Sequence, residues 1–244
     1  MSRLQAFAIH LGISFLIFLC LAGVIITWWY PGIFFHIDGG WEGIRLIALV
    51  DLALGPLLTL IVFKHGKPGL KTDLTLIGLF QAICLSAGIW VVHNERPLAM
   101  VMVNDIFFSM SADDYSDVGI KPPDLSRFSE RGPQWVTVKI PEDVYESSDL
   151  RRAAIESAQP LRTLHERYIP FEPKHLDINE AVSAKDLGAL DKQTGGLQQW
   201  IADHGGKLED YLFYEVGGRY SYVHLGFLRA DMTPLGLLKT PGPG

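Results

Sequence analysis

Cysteine is scarce in this chain of 244 residues, and the C-terminal part contains none. The two cysteines, Cys20 and Cys84, both lie in long apolar runs. A disulfide framework and a thiolate zinc site are therefore excluded in the C-terminal part. The sequence also lacks a phosphate loop, a nucleotide fingerprint, a Gly-x-Ser-x-Gly elbow and a His-Glu-x-x-His motif. We predict no catalytic residues, no metal and no cofactor, and we expect a protein that is not an enzyme.

Basic residues are fewer than acidic ones, with 21 Lys and Arg against 27 Asp and Glu. The first ninety residues or so carry few charges, whereas the rest carries charges throughout, with an acidic excess. Binding to nucleic acid needs a basic surface that faces the phosphate backbone. Nucleic acid is therefore not expected as a partner.

Three long apolar runs occupy the N-terminal part, at about residues 6–30, 44–63 and 74–92. Each has roughly the ~20 residues that cross a ~30 Å hydrocarbon layer as a helix. The first run is too long for a cleaved signal peptide, and no small-x-small cleavage site follows it. We predict a three-helix transmembrane unit over residues 1–95, with the lipid bilayer as its surroundings.

The short loops predict the orientation of these spans. Arg3 precedes the first span, and Lys64, Lys67 and Lys71 lie between the second and third, whereas residues 31–43 contain no Lys or Arg. Positive charge stays on the cytoplasmic side, so the N-terminus is expected in the cytoplasm and everything after the third span in the periplasm. The aromatic residues of the predicted outer interface agree with this orientation: Trp28, Trp29, Tyr30, Trp41 and Trp90. The predicted location is a bacterial inner membrane.

The remaining residues predict a periplasmic α+β domain with an antiparallel sheet over residues 96–239, followed by a disordered tail over residues 240–244. Tyr211–Val216 and Tyr220–Leu228, joined through a Gly-Gly pair, form the clearest hairpin pattern. Further strands are predicted at Leu98–Val103, Ile106–Met110, Trp135–Ile140 and Pro234–Lys239, and helices at Ser148–Ala158, Asn179–Leu190 and Gly196–Asp203.

Asp51 is the most informative residue of the membrane half, because an ionised carboxylate deep in a span costs a few kcal/mol. Gln81 lies at comparable depth in the third span, and Gly55-Pro56 frees a backbone carbonyl and favours a kink. Two interpretations stay open. Asp51 either bonds to the third span in its protonated form and holds the unit together, or it serves a partner helix or proton handling.

A stripe of small residues follows the third span at four-residue spacing: Gly78, Ala82 and Ser86. Such a stripe lets two helix backbones approach closely. The neighbour is either another helix of this chain or the transmembrane helix of a partner.

Two features of the external domain also have two interpretations. Asp113, Asp114 and Asp117 form an acidic group that lacks the spacing of a calcium loop, so a solvated turn is favoured. The hairpin carries four tyrosines that either pair across the strands or receive a partner: Tyr211, Tyr214, Tyr220 and Tyr222.

Taken in order, the motifs of the first hundred residues resemble those of the type IV pilin accessory protein family (TfpX/TfpZ-like proteins). The matching pieces are Trp29-Tyr30-Pro31-Gly32 with Phe34 or Phe35, Gly39-Gly40-Trp41, Asp51 with Leu54-Gly55-Pro56-Leu57-Leu58-Thr59-Leu60, Lys71-Thr72-Asp73-Leu74, Gln81 and Arg96-Pro97. The external domain matches only in size and position.

This resemblance implies an inner-membrane accessory factor, chaperone-like or for assembly, that helps a cognate type IV major pilin by binding rather than by catalysis. The alternative is a membrane-anchored periplasmic sensor or ligand-binding protein, although no cytoplasmic output domain is visible in the sequence. The residues expected to contact the partner lie in the second and third spans: Asp51, Gly55, Pro56, Gly78, Gln81, Ala82 and Ser86.

Overall fold

A computed structural model describes residues 1–128, 132–183, 186–189 and 196–239. The chain divides into two compact units. The first contains Met1–Phe35 and Gly39–Arg96, and the second contains His36–Asp38 and Pro97–Gly244. The predicted disordered tail lies outside the described residues, as does part of the predicted helix Asn179–Leu190.

The first unit is entirely helical. Its helices are α1 (Arg3–Val24) with a π-helical continuation at Ile25–Trp29, the short α2 (Phe34–Ile37, which ends in the second unit), α3 (Gly40–Ala48), a π-helical segment at Leu49–Leu54, α4 (Gly55–Val62) and α5 (Leu70–Asn94). Three uninterrupted helical runs, Arg3–Trp29, Gly40–Val62 and Leu70–Asn94, are long and apolar enough to cross a membrane. They begin three or four residues before the three predicted spans and end within two residues of the predicted ends.

Local signals explain where these helices begin and bend. Ser2 and Gln5 form a capping box at the start of α1, and Gly69 precedes α5 with a φ of 81° that favours glycine. Pro56 has no backbone N–H, so the helical hydrogen bond that would end at that position is missing. The π-helical segment Leu49–Leu54 ends two residues before this proline, as expected where the helical ladder is interrupted.

The helices of the first unit enclose a small apolar core and leave most large apolar side chains outside. Ile25, Ile47 and Val92 are buried together, and the Tyr30 hydroxyl donates to the Val92 carbonyl oxygen at 2.9 Å. Exposed apolar side chains cover the outer surface, among them Leu16, Leu57, Ile61, Phe80 and Ile83. Helices that are apolar on their outer faces are typical of membrane spans.

The second unit is built on a seven-stranded mixed sheet with the order β4-β3-β1-β2-β5-β6-β7. Its strands are β1 (Pro97–Val103), β2 (Ile106–Ser111), β3 (Gln134–Val138), β4 (Tyr168–Pro170), β5 (Tyr211–Gly217), β6 (Tyr222–Leu228) and β7 (Pro234–Lys239). Strands β1, β2, β5 and β7 lie within one residue of their predicted bounds. β6 begins two residues after its predicted start, and β3 ends two residues before its predicted end.

The predicted antiparallel sheet is wrong, because two of its strand pairs are parallel. β3 runs parallel to β1, and β5 runs parallel to β2. Parallel neighbours require connections of a dozen or more residues. Residues 104–133 lie between β1 and β3, and residues 112–210 lie between β2 and β5. Connections of this length permit either strand direction, so local sequence patterns do not determine it.

The helices of the second unit are α6 (Ala112–Ser116), α7 (Val144–Glu156) and α8 (Gly196–His204). The α7 helix begins four residues before the predicted start, because Asp143 caps it by accepting from the amides of Tyr145 and Glu146 at 2.9 and 3.0 Å. Of the predicted helix Asn179–Leu190, the described residues show a 3₁₀ turn at Ile178–Glu180 and a helical turn at residues 186–189.

The hairpin tyrosines divide between the core and the surface. Tyr211 and Tyr214 are buried, whereas Tyr220 and Tyr222 are about half exposed. Trp200 of α8 packs edge-on against Tyr211, with ring centroids 5.1 Å apart. The buried pair therefore supports the sheet, and the exposed pair lies at the turn between β5 and β6.

Candidate functional site

A polar cluster lies inside the helical unit and connects all three long helices. It consists of His10 and Ser14 on α1, Asp51 in the π-helical segment, Thr59 on α4 and Gln81 on α5. Ser14, Asp51, Thr59 and Gln81 are buried, and Asp51 is fully inaccessible. Gln81 is the centre of the cluster: its Nε2 donates to Asp51 Oδ1 at 2.5 Å and to Ser14 Oγ at 3.0 Å. One amide side chain thus joins three helices.

His10 completes the cluster on the other side of Gln81. The His10 Nε2 atom lies 2.8 Å from Gln81 Oε1, which can only accept, so this nitrogen is the donor. The His10 Nδ1 atom lies 2.6 Å from the Thr59 hydroxyl. The sequence places His10 only in the inner half of the first span. Its four-residue spacing from Ser14, which puts both on one helix face, was the signal that could have linked it to the cluster.

Asp51 is held on one side only. Its Oδ1 accepts from Gln81, whereas its Oδ2 is the one buried side-chain polar atom without a hydrogen-bond partner in the described part of the chain. The structure therefore brings Asp51 against the third span, as one of its two sequence-based interpretations requires. Asp51 is completely buried among the helices of its own chain.

Gly55 and Pro56 belong to the same buried region. A Cβ atom on Gly55 would lie 1.8 Å from Gln81 Oε1, so any side chain here would displace the Gln81 amide. Pro56 is buried, and it follows the π-helical segment that carries Asp51. Four of the seven predicted partner-contact residues, Asp51, Gly55, Pro56 and Gln81, are thus internal to the bundle.

The other three predicted residues face outward. Gly78, Ala82 and Ser86 are exposed along one side of α5, next to the buried Ile77 and Gln81. A Cβ atom added at Gly78 would meet nothing within 4 Å. The small-residue stripe, defined as Gly78, Ala82 and Ser86, therefore does not pack within the helices of its own unit.

A second buried carboxylate lies in the mixed-sheet unit. Asp38 accepts from the Ser109 hydroxyl at 2.6 Å and from the Arg219 amide at 3.1 Å, and the neighbouring Ile37 carbonyl accepts from the Tyr220 amide at 2.9 Å. Burial raises the pKa of Asp38 from 3.8 to about 6, against the lowering effect of both hydrogen bonds. The segment His36–Asp38 is thus an integral part of this unit. Sequence reasoning treated it only as a loop.

The contact with the His36–Asp38 segment requires glycine at position 218. A Cβ atom on Gly218 would lie 2.6 Å from Ile37 Cβ and 2.7 Å from the Ile37 carbonyl oxygen. Only glycine permits this approach of the β5–β6 turn.

The acidic group at the start of α6 is part of a helix cap. Asp114 accepts from both the amide and the hydroxyl of Ser111, at 2.6 and 2.8 Å. Asp113 lies 3.8 Å from the Arg219 guanidinium. Among the described residues, no three His, Cys, Asp or Glu side chains lie close enough to hold a metal ion.

These features define a class: a bundle of three apolar helices, centred on a buried polar cluster, joined to a mixed-sheet domain. Comparison with known proteins identifies the family to which this class corresponds. The profile of the fimbrial assembly protein FimB family matches residues 1–37. A fimbrial assembly protein of Dichelobacter nodosus, serogroups C1 and C2, is 33% identical over 109 residues, which cover 43% of this chain and 82% of that protein. The chain belongs to this fimbrial assembly protein family.

Two further relatives come from the same organism. The fimbrial assembly protein of serogroup E1 is 35% identical over 109 residues, covering 43% of this chain and 42% of that protein. The serogroup I protein is 28% identical over 155 residues, covering 62% and 58%. The chain thus spans about two fifths and three fifths of the lengths of these two relatives. No solved structure matches the chain significantly.

Proposed function

We propose that this protein is an inner-membrane accessory factor that helps a cognate type IV pilin enter the fibre, and that it acts by binding rather than by catalysis. The names of the relatives support a role in pilus assembly. The motifs shared with the TfpX/TfpZ-like proteins support the narrower assignment to type IV pili. The three apolar helices support membrane insertion.

The proposed orientation follows from the loop charges and from the tryptophans. Arg3 and the Lys64–Lys71 loop lie on the cytoplasmic side, which places the mixed-sheet domain in the periplasm. Trp28, Trp41 and Trp90 are 60%, 49% and 64% exposed, so their indoles are free to lie among lipid headgroups. A phosphatase reporter fused after Arg96 should be active, whereas a reporter that is active only in the cytosol contradicts this orientation.

The observation that carries the proposal is the outward-facing small-residue stripe on α5. Within a bilayer, apolar side chains gain nothing from leaving lipid for another helix, so helices associate through close packing. Gly78, Ala82 and Ser86 offer one flat surface for such packing, and the helices of their own unit leave it uncovered. A pilin subunit with an apolar membrane helix is the partner that this surface fits.

The polar cluster has a supporting role in this proposal. Hydrogen bonds between membrane helices contribute about 0.6 kcal/mol each, and they fix the register of the helices that they join. By tying α5 to α1 and to Asp51, Gln81 fixes the rotation of α5, and hence the direction in which the stripe faces.

Deletion of the gene tests the proposal, scored for surface pili and for total pilin. We expect surface pili to be lost while pilin is still made, and complementation to restore them. Complementation with Ala82→Leu should fail, because a larger side chain in the stripe blocks close approach. Ala87→Leu is the matched control: Ala87 is exposed on the same helix, about 140° around from Ala82. Full piliation with both variants would contradict the role of the stripe.

A further inference from the structure

The α7 helix of the mixed-sheet domain is unusually exposed. Of its 13 residues, only Ala154 is buried. Three large side chains point into solvent: Val144 is 74% exposed, Tyr145 is 82% exposed and Ile155 is 80% exposed. A single exposed apolar side chain is ordinary, but several on one short helix indicate an interaction surface.

A groove runs along one flank of α7 at its C-terminal end. Its volume is about 460 Å³, within the usual range for binding sites. The groove, called the α7 groove below, is lined by Arg151, Ala154, Ile155, Ala158, Gln159, Pro160 and Leu161. Its walls are therefore apolar or neutral, apart from one guanidinium.

Helical geometry extends the apolar flank beyond the groove itself. At 100° per residue, Arg151 and Ile155 lie within about 20° of Val144 around the axis, so all three share one flank. Tyr145 lies about 100° away. Glu146, Asp149 and Glu156 are about 200°, 140° and 120° away from Val144. The carboxylates of α7 are thus turned away from the groove, and Arg151 supplies its charge.

The turn between β1 and β2 holds Arg151 in place. Its Nη2 donates to Asn104 Oδ1 at 2.9 Å. Asn104 and Asp105 form the two-residue turn between β1 and β2, with φ of 50° and 63°. Among the described residues, no acceptor lies within hydrogen-bond distance of the other N–H groups of Arg151. A guanidinium anchored at one nitrogen beside apolar walls matches a carboxylate.

We propose that the α7 groove binds an aliphatic segment of the pilin head that carries a carboxylate opposite Arg151, taking the proposed pilin-binding function as its basis. Charge complementarity selects this occupant. A second copy related by a two-fold axis through the groove would bring two Arg151 guanidiniums together. An anionic lipid surface would meet the exposed carboxylates of Glu142, Glu146 and Glu156. Both are outcomes that the test can report.

The test uses a photo-crosslinking amino acid placed in the full-length protein, in cells that make the cognate pilin. We expect a pilin adduct when it replaces Ile155, and at least about tenfold less adduct when it replaces Tyr145. The two positions are matched, because both lie on α7 with nearly equal exposure and only Ile155 lines the groove. The pilin peptide in the adduct should contain an Asp, a Glu or the C-terminal carboxylate.

Substitution of Arg151 then tests the charge. In the crosslinking strain, Arg151→Glu should reduce the adduct at least about tenfold, since charge-assisted hydrogen bonds contribute about 1.5–3 kcal/mol. Changing the crosslinked pilin carboxylate to Lys should restore the adduct with Arg151→Glu. Asn104→Ala serves as a second variant, because it removes the anchor of Arg151 but keeps its charge, and it should reduce the adduct less than Arg151→Glu.

Several results would overturn the assignment of the groove. These are equal adducts at the two positions, adducts only with lipid or with a second copy, and a pilin adduct that Arg151→Glu leaves unchanged. If pilin still co-purifies with the full-length protein in those cases, the groove assignment fails and the proposed function stands. If pilin neither co-purifies nor forms an adduct, the proposed function fails with it.

Discussion

Gly55→Ala should disrupt the polar cluster without changing any polar residue. The added Cβ would lie 1.8 Å from Gln81 Oε1 and 2.4 Å from its Cδ. The Gln81 side chain can move away only by giving up its contacts with His10, Ser14 and Asp51. The three atoms nearest to the added Cβ all belong to Gln81, so the substitution acts on the bundle chiefly through this side chain.

The expected magnitude follows from these three contacts. At about 0.6 kcal/mol for each hydrogen bond between membrane helices, their loss costs about 2 kcal/mol. This corresponds to a change of roughly 30-fold in the folding equilibrium of the bundle. Ala also favours a helix over Gly by up to about 1 kcal/mol. Gly78→Ala shares that gain and meets nothing within 4 Å, so the difference between the two variants isolates the effect of Gln81.

The assay is the free energy of unfolding of the full-length protein in bicelles, measured for Gly55→Ala, Gly78→Ala, Gln81→Ala and the double variant Gly55→Ala/Gln81→Ala. We expect Gly55→Ala to be less stable than Gly78→Ala by about 2 kcal/mol. In the Gln81→Ala background, the clashing amide is gone, so the Gly55 substitution should be neutral or should stabilise the bundle by up to about 1 kcal/mol. Equal costs in the two backgrounds would refute the reasoning, as would equal stabilities of the two glycine variants.

The mixed-sheet domain allows two further tests on the full-length protein. Gly226→Ala should destabilise the domain by about 1–3 kcal/mol, because the new Cβ would lie 2.6 Å from Trp200 Cζ2. Denaturant unfolding followed by tryptophan fluorescence measures this loss. Gly188→Ala, whose Cβ would meet nothing within 4 Å, should leave the stability unchanged. Because the pKa of Asp38 is raised to about 6, its neutral form favours the folded state, and up to about 3 kcal/mol of stability is lost as the pH rises from about 4 through 6. Hydrogen exchange of the Arg219 amide, corrected for its intrinsic rate, should show this loss of stability. Asp38→Asn should abolish the pH dependence of the exchange. An exchange profile that Asp38→Asn leaves unchanged would contradict the role of Asp38.

The features that could be predicted from the sequence are those with a short-range signal. The three helices follow from runs of about 20 apolar residues, and the β5–β6 hairpin follows from strand residues on both sides of Gly217-Gly218. The contact between Asp51 and Gln81 could be anticipated from their similar depth in neighbouring spans. In each case the evidence lies within one segment or in the fixed thickness of a bilayer.

The features that could not be predicted depend on distant parts of the chain. The parallel pairing of β1 with β3 is decided by how a long connection returns to the sheet. The burial of Asp38 depends on Ser109 and Arg219, which are 71 and 181 residues away. The rotation of α5, which turns Gln81 inward and Ala82 outward, depends on partners in the other helices.

The most direct test of the central claim is photo-crosslinking from inside the membrane, with the reactive residue at Ala82 or Ala87 of the full-length protein. The account predicts an adduct with the membrane helix of the pilin from position 82 and little or none from position 87. Adducts of equal yield from both positions, or an Ala82 adduct that lacks pilin, would contradict it.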